Sequence, residues 1–138
     1  MSAAQAQCSL ADGARPLTIC VLNCDVELRQ VVEKAIQDHL WGVGLTLSDD
    51  FRLPAAAPSP DIVLVNLPEA TESCLSILPE IQHRCPAARV ILLSGSDDLS
   101  HWTEAIQMGA YDFLPRSVEC HQLGWVLQGA LSTGRSAP

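Results

Sequence analysis

The sequence is poor in aromatic and basic side chains. Aromatic residues make up 4% of its 138 residues, and eight Lys and Arg residues stand against sixteen Asp and Glu residues, for a formal net charge of −8. A negative field of this kind repels phosphate backbones and anionic membrane surfaces. No apolar run approaches the roughly 18 residues that a membrane-spanning helix needs. We therefore expect no direct nucleic-acid partner and no membrane partner.

Several chemical motifs are also missing. The six cysteines and four histidines show no CxxC pattern and no metal-ligand spacing, so we expect no zinc. Gly42 and Gly44 lack the third glycine of a dinucleotide fingerprint. No nucleophile, base and orienting group can be named together, which predicts a protein that is not an enzyme and needs no cofactor.

The amino terminus does not read as an export signal. Residues 1–14 lack both a basic start and an apolar centre. The cysteines are then expected to be free thiols, since reducing compartments keep thiols reduced. These features favour a cytoplasmic location.

What the chain does contain is a regular alternation of apolar runs and helical patterns. Hydrophobic residues account for 48% of it, and its length favours one domain, at 15–132, with flexible tails at 1–14 and 133–138. The alternation predicts an α/β fold with a parallel sheet. Predicted strands are 17–22, 44–47, 61–65, 89–93 and 111–114, and predicted helices are 26–40, 72–84, 99–108 and 118–131. Prolines should break any helix within 48–60, and Pro79 should bend or restart the helix that contains it.

Polar residues follow the strands at their carboxyl ends. In an open parallel sheet these ends form one rim, where functional groups gather. The residues in question are Asn23, Cys24 and Asp25 after the first strand, Asn66 after the third, Ser94 after the fourth and Arg116 after the fifth. The pattern predicts that they converge, although loops are commonly polar without any function.

Four blocks of sequence, 21–29, 60–67, 90–95 and 109–116, are similar in order and spacing to the receiver domain of bacterial response regulators. The resemblance covers about residues 16–131. It implies a CheY-like, flavodoxin-like, doubly wound sheet of five parallel strands in the order 2-1-3-4-5, with helices on both faces, and a role in two-component or phosphorelay signal transduction. In that family two acidic residues after the first strand hold Mg²⁺, an aspartate after the third accepts a phosphoryl group, and a serine or threonine and a lysine follow the fourth and fifth strands.

Position by position, the resemblance places Asn23 and Cys24 at the metal site and Asn66 at the phosphoacceptor. Ser94, Arg116 and Phe113 fall at the switch and pocket positions, and of the five key positions only Ser94 keeps the family's residue type. An amide offers no nucleophile comparable to a carboxylate, and Mg²⁺ prefers anionic oxygen. The chain therefore resembles a degenerate, atypical receiver, or pseudo-receiver, that acts by binding proteins independently of phosphorylation.

Two neighbouring charges have simpler explanations than catalysis. Asp25 stands where an N-cap belongs, which explains it better than metal binding does. Arg116 has lost the family's carboxylate partners, and an exposed side chain is the expected outcome; pairing with Asp25 or Asp97, or binding of an anion, are the alternatives.

The family commonly binds partners through its fourth helix, fifth strand and fifth helix. In this chain that face contains Trp102, Ile106, Asp112, Leu123 and Trp125. The expected partner is a kinase, an output domain, another receiver or a second copy of the chain. An alternative function is a receiver-like sensor that is switched by a small anion near Arg116 and Ser94, or by oxidation of Cys24.

Overall fold

A computed structural model describes residues 17–40, 42–53, 60–67, 76–94, 102–115 and 117–136, with the backbone alone for 132–136. The strands are β1 (Leu17–Leu22), β2 (Val43–Leu47), β3 (Ile62–Leu67), β4 (Arg89–Ser94) and β5 (Asp112–Pro115). The helices are α1 (Val26–His39), α2 (Ile77–Arg84), α3 (Trp102–Gln107) and α4 (Cys120–Ser136). None of these helices is long and apolar enough to cross a bilayer.

The five strands form one parallel sheet in the order β2-β1-β3-β4-β5. This confirms the predicted fold class and strand order. β3 lies at the centre and is buried at every position, which explains why its sequence is apolar throughout except at Asn66 rather than alternating.

Helices cover both faces of the sheet. Successive residues of each strand point to opposite sides, so each strand contributes side chains to two separate core clusters. On one face, Cys20 and Leu22 of β1 belong to a core cluster with Leu78 and Ile81 of α2. On the other, Ile19 and Val21 belong to a cluster built on α1 and α4. Gly124 of α4 permits the close approach of α1, since a Cβ there would collide with the His39 ring.

The start of α1 is fixed by a side-chain cap. Asp25 Oδ1 accepts a hydrogen bond from the Leu28 backbone N–H at 2.8 Å, which satisfies one of the free donors of the first turn. Leu28, Val32 and Ala35 form the buried stripe of the helix. The predicted helix and its cap are confirmed.

The remaining helices differ from prediction at their ends. Pro79 does not bend α2, because it is the third residue of the helix, in the first turn, where no intrahelical N–H bond is needed. α4 runs on to Ser136, so the tail predicted from residue 133 starts too early. Residues 1–16, 54–59, 68–75 and 95–101, which include the predicted amino-terminal tail and parts of the predicted helices, lie outside the described residues.

Candidate functional site

The carboxyl ends of β1, β3 and β4 come together as predicted. Asn23 directly follows β1, and Asn66 and Ser94 lie at the ends of β3 and β4. Ser94 is paired in register with Leu67 of β3 and with Pro115 of β5. Arg116, Asp97 and Gly95 lie outside the described residues, so the predicted location of Arg116 stays a prediction.

The strand that carries Asn66 is longer than predicted. β3 continues through Leu67 because the backbone goes on pairing with β4, Asn66 opposite Leu93 and Leu67 opposite Ser94. The prediction that the strand ends at residue 65 was therefore wrong. Asn66 is a strand residue that pairs with Leu93 of β4, and its exposure is only 4%.

Asn23 and Asn66 are joined by two reciprocal hydrogen bonds. Asn23 Nδ2 donates to the Asn66 backbone oxygen at 3.0 Å, and Asn66 Nδ2 donates to the Asn23 backbone oxygen at 2.9 Å. We call this pair the amide clamp. Both bonds need a side-chain N–H, which an ionised aspartate does not have. The clamp therefore depends on the two asparagines at the positions where the sequence resemblance implies carboxylates.

The turn at Asn23 has an unusual backbone conformation and additional backbone hydrogen bonds. Asn23 has a φ of 55°, a left-handed conformation in which asparagine is enriched over most other non-glycine residues. Its backbone N–H donates to the Asp50 carbonyl at 2.7 Å, and the N–H of Cys24 donates to the Ser48 carbonyl at 2.9 Å. The turn after β1 is thus tied both to β3 and to the segment after β2.

Asp50 is a residue of this rim that sequence reasoning missed. Its carboxylate accepts hydrogen bonds from the Arg52 backbone N–H at 3.0 Å and from the Ser48 hydroxyl at 3.1 Å. The hydrogen bond from Arg52, followed by that from Ser48, lowers the pKa of Asp50. The signal was the Ser-Asp-Asp sequence directly after β2, at a carboxyl end like the others. The Asp50 carboxylate thus stabilises its own loop, because it accepts hydrogen bonds from residues on both sides of it in the chain.

The amide clamp leaves one polar atom unsatisfied. Asn66 Oδ1 is buried and has no hydrogen-bond partner among the described residues. Such atoms are uncommon in folded proteins. Ser94 is also buried, at 1% exposure. Phe113 is buried in the core cluster on the α2 and α3 face, so the structure places it in the core beneath the rim.

The donor set of the amide clamp does not fit Mg²⁺, and the Asp50 carboxylate of the rim is bonded within its own loop. The described side chains at the clamp are two amides and the half-buried thiol of Cys24, whose Sγ donates to the Asp25 carbonyl at 3.4 Å. Asp25 uses a carboxylate oxygen to cap α1. Within the described ranges, no group of three or more His, Cys, Asp or Glu side chains could hold a metal ion. Mg²⁺ prefers carboxylate and phosphate oxygens, and the clamp supplies none.

The described cysteines differ in how deeply they are buried. Burial, with a smaller effect from neighbouring Cys85, raises the pKa of Cys20 to about 11. Burial also raises the pKa of Cys85. The thiols of Cys24 and Cys120 are half-buried.

The predicted interaction face is only partly on the surface. Trp102 is 44% exposed and Trp125 is 65% exposed. The Trp125 ring stacks edge-on with His121 at a centroid distance of 5.9 Å. Ile106 and Asp112 are half-buried. Leu123 is fully buried against α1 and the sheet, so its assignment to the face was wrong.

Comparison with known proteins finds both similar sequences and similar structures. The DNA-binding transcriptional regulator NtrC of Salmonella typhimurium is 28% identical over 119 residues, which cover 83% of this chain and 24% of NtrC. The crystal structure of NtrX from Brucella abortus superposes with a TM-score of 0.71 at 26% identity, over 88% of this chain and 27% of NtrX. A response regulator from Thermotoga maritima gives a TM-score of 0.72 at 18% identity, over 86% of this chain and 99% of that one.

These likenesses support the response regulator receiver family. No family model matches the chain. The chain spans about a quarter of the length of the curated relatives that it matches. The part of the chain that resembles these proteins therefore includes the sheet and the carboxyl rim that carries the amide clamp.

Proposed function

We propose that this chain is a degenerate receiver that works as a phosphorylation-independent protein-interaction module in two-component or phosphorelay signalling. The observation that carries the proposal is the amide clamp, with Nδ2 to carbonyl distances of 3.0 and 2.9 Å. It occupies the rim where a phosphorylatable receiver needs an anionic nucleophile and a metal.

The clamp opposes phosphoryl transfer for two separate reasons. The amide nitrogen of Asn66 has its lone pair delocalised and its N–H engaged, so the residue offers no carboxylate to attack phosphorus. Phosphoryl transfer also relies on metal ions to neutralise developing charge, and the neutral donors of the clamp give Mg²⁺ no anionic ligand. We accordingly propose no enzymatic activity and no cofactor for this chain.

The same clamp stabilises the rim without an ion. Each of its hydrogen bonds contributes about 0.5–1.5 kcal/mol to the free energy of unfolding, a typical value for an intramolecular bond. Three neighbouring carboxylates would instead repel one another when no metal is bound. The rim of this receiver is thus held in one arrangement, which suits a module that binds its partner constitutively.

The partner that fits is a protein. Trp125 and Trp102 expose large apolar surfaces, and tryptophan is enriched in protein interfaces. The net charge of −8 opposes nucleic acid. We propose a kinase, an output domain, another receiver or a homodimer partner, in the cytoplasm.

The test is to expose the protein to phosphorylating conditions. The chain is incubated with Mg²⁺ and acetyl phosphate, and separately with Mg²⁺ and beryllium fluoride, while intact mass and melting temperature are recorded. We expect neither to change. A receiver with a complete acidic pocket, treated in parallel, must show both responses. A phosphorylated species or a higher melting temperature of this chain would refute the proposal.

One observation favours the alternative function of a redox-switched sensor. Cys24 is half-buried beside the clamp, within reach of small oxidants, whereas Cys20 and Cys85 are buried. Peroxide should then shift the melting temperature of the wild-type protein but not that of Cys24→Ser. Equal responses of the two proteins would remove this alternative.

A further inference from the structure

A pocket of about 490 Å³ lies at the opposite edge of the sheet from the amide clamp. Its lining includes Arg89, the first residue of β4, and Tyr111, which directly precedes β5. Five residue steps along β4 separate Arg89 from Ser94, which at about 3.3 Å per step is roughly 16 Å. The pocket is thus a separate feature of the amino-terminal edge.

The guanidinium of Arg89 is incompletely satisfied. Its Nε is buried and has no hydrogen-bond partner among the described residues. The guanidinium carbon lies 6.0 Å from the centroid of the Tyr111 ring, at the outer limit of a cation–π contact. Across the described ranges the side chain forms no ion pair. Because Nε itself is enclosed, a ligand in the pocket would meet the terminal amino groups of this cation.

The carboxylates on the adjoining strand ends are engaged elsewhere. Asp61 Oδ2 accepts a hydrogen bond from the Thr18 backbone N–H at 2.8 Å. Asp112 Oδ1 accepts one from the Phe113 backbone N–H at 2.8 Å. Arg89 is connected to Asp61 only through the backbone, by a 2.9 Å bond from its N–H to the Asp61 carbonyl. Arg89 is thus the charged residue of the pocket lining, and the hydrogen bonds that Asp61 and Asp112 accept leave their own negative charges in place.

One wall of the pocket is built in advance. Gln82 Nε2 donates to the Met108 carbonyl at 2.9 Å, which fixes the loop before β5 against α2. Gly109 has a φ of 107°, and a Cβ at this position would collide with Gln82 Nε2. Glycine is required for both reasons. A preformed wall reduces the ordering that a ligand must impose when it binds.

We propose that this pocket binds a small molecule that carries a carboxylate or a phosphate group, with Arg89 as the anchor. A planar guanidinium matches both oxyanions and binds them through paired N–H bonds. The volume falls in the range of small-molecule sites. Tyr111, Pro86 and Ala88 supply aromatic and apolar surface for the carbon part of the ligand.

The first test locates binding by NMR. Backbone amide shifts of the full chain are followed during separate titrations with inorganic phosphate and with benzoate, against sodium chloride at equal ionic strength. Saturable shifts are expected at Gly109 and Tyr111, and none at Asn23 and Asn66. Saturation with one of the two compounds but not the other identifies the preferred oxyanion.

The second test isolates the anchor. Arg89→Gln is expected to weaken binding about tenfold or more, the loss of at least one charged hydrogen bond. Arg84→Gln is the matched control, because it removes the same charge from an exposed position at the end of α2, and it should change affinity less than about twofold. Arg89→Lys keeps the charge but loses the planar fork, so it should bind several-fold more weakly than wild type. If Arg89→Gln does not fold, Arg89→Lys decides the question.

The outcomes that overturn the inference are distinct. No saturable shift with either compound, shifts confined to Asn23 and Ser94, or affinities that are equal in wild type and the Arg89 variants would each do so. None of these results depends on phosphoryl transfer at Asn66. The inference can therefore fail while the proposed function stands, and the reverse is also true.

Discussion

Asn66 differs from aspartate by one group, an N–H donor in place of an anionic oxygen, and the structure uses that group. Its Nδ2 holds the end of β1 through the Asn23 carbonyl at 2.9 Å. In an ordinary receiver pocket the corresponding oxygen faces a metal. In this chain the side chain instead links the end of β1 directly to β3.

We therefore predict that Asn66→Asp destabilises the protein at neutral pH. The substitution removes a donor and places a buried carboxylate against the Asn23 carbonyl, a loss of about 1–3 kcal/mol in the free energy of unfolding. Burial raises the folded-state pKa of the new carboxyl above its unfolded value of about 3.9. Its stability should match wild type most closely at about pH 3 and below, where the carboxyl is mostly protonated in both states, and fall as pH rises through the folded pKa.

Urea unfolding of both proteins from about pH 3, roughly one unit below the unfolded carboxyl pKa, to about pH 8 measures this difference. Gln37→Glu makes the same chemical change at an exposed position of α1 and should shift stability by less than about 0.5 kcal/mol. If Asn66→Asp is as stable as wild type at neutral pH, the clamp does not hold the strands as described.

The residues of the rim could be predicted from sequence, but their contacts could not. Strand-end positions and the receiver likeness identified Asn23, Asn66 and Ser94. The clamp itself joins side chains to backbone carbonyls 43 residues away, and no local pattern encodes such a bond. The left-handed φ of Asn23 and the loop of Asp50 depend on the same tertiary arrangement.

Among the helices and strands, α1 is the clearest case of a structure that is determined by its own local sequence. Its start, its cap and its buried stripe all follow from the sequence Asp25 to Leu40, because a carboxylate cap and a helical apolar repeat agree with each other. The end of β3 was misjudged because pairing with β4, rather than local composition, decides where it stops. Arg89 was seen in sequence as one scattered cation, since a pocket between α2 and two strand ends leaves no sequence signal.

We predict that Asp25→Ala lowers the free energy of unfolding by about 1 kcal/mol, the usual cost of losing an N-cap. Asp25→Ser should retain most of the stability, because its hydroxyl can accept the Leu28 N–H bond. Asp38→Ala removes a carboxylate from the other end of α1, where it forms an exposed i,i+4 pair with Lys34 at 2.8 Å. That control should change stability by less than about 0.5 kcal/mol. Thermal or urea unfolding separates the three variants, and equal losses at positions 25 and 38 would rule out capping.

At the scale of the whole molecule, the two edges of the sheet have opposite character. At the carboxyl rim, two amides are joined to backbone carbonyls by hydrogen bonds, and the Asp50 carboxylate is bonded within its own loop. The amino-terminal edge carries an arginine without an ion-pair partner among the described residues and a pocket beside it. If the proposed function is correct, the chain binds its partner through its outer surface, and α4 is a helix on which surface and core residues can be tested separately.

Trp125 and Leu123 are two residues apart on α4, yet one is 65% exposed and the other fully buried. We predict that Leu123→Ala lowers the free energy of unfolding by about 2–5 kcal/mol, because it opens a cavity in the core. Trp125→Ala should change stability by less than about 0.5 kcal/mol while weakening any complex in which α4 takes part, as measured by analytical ultracentrifugation of the chain alone and with a candidate kinase. If Trp125→Ala destabilises the fold as much as Leu123→Ala does, Trp125 belongs to the core. If it leaves every such complex intact, α4 is not the binding face.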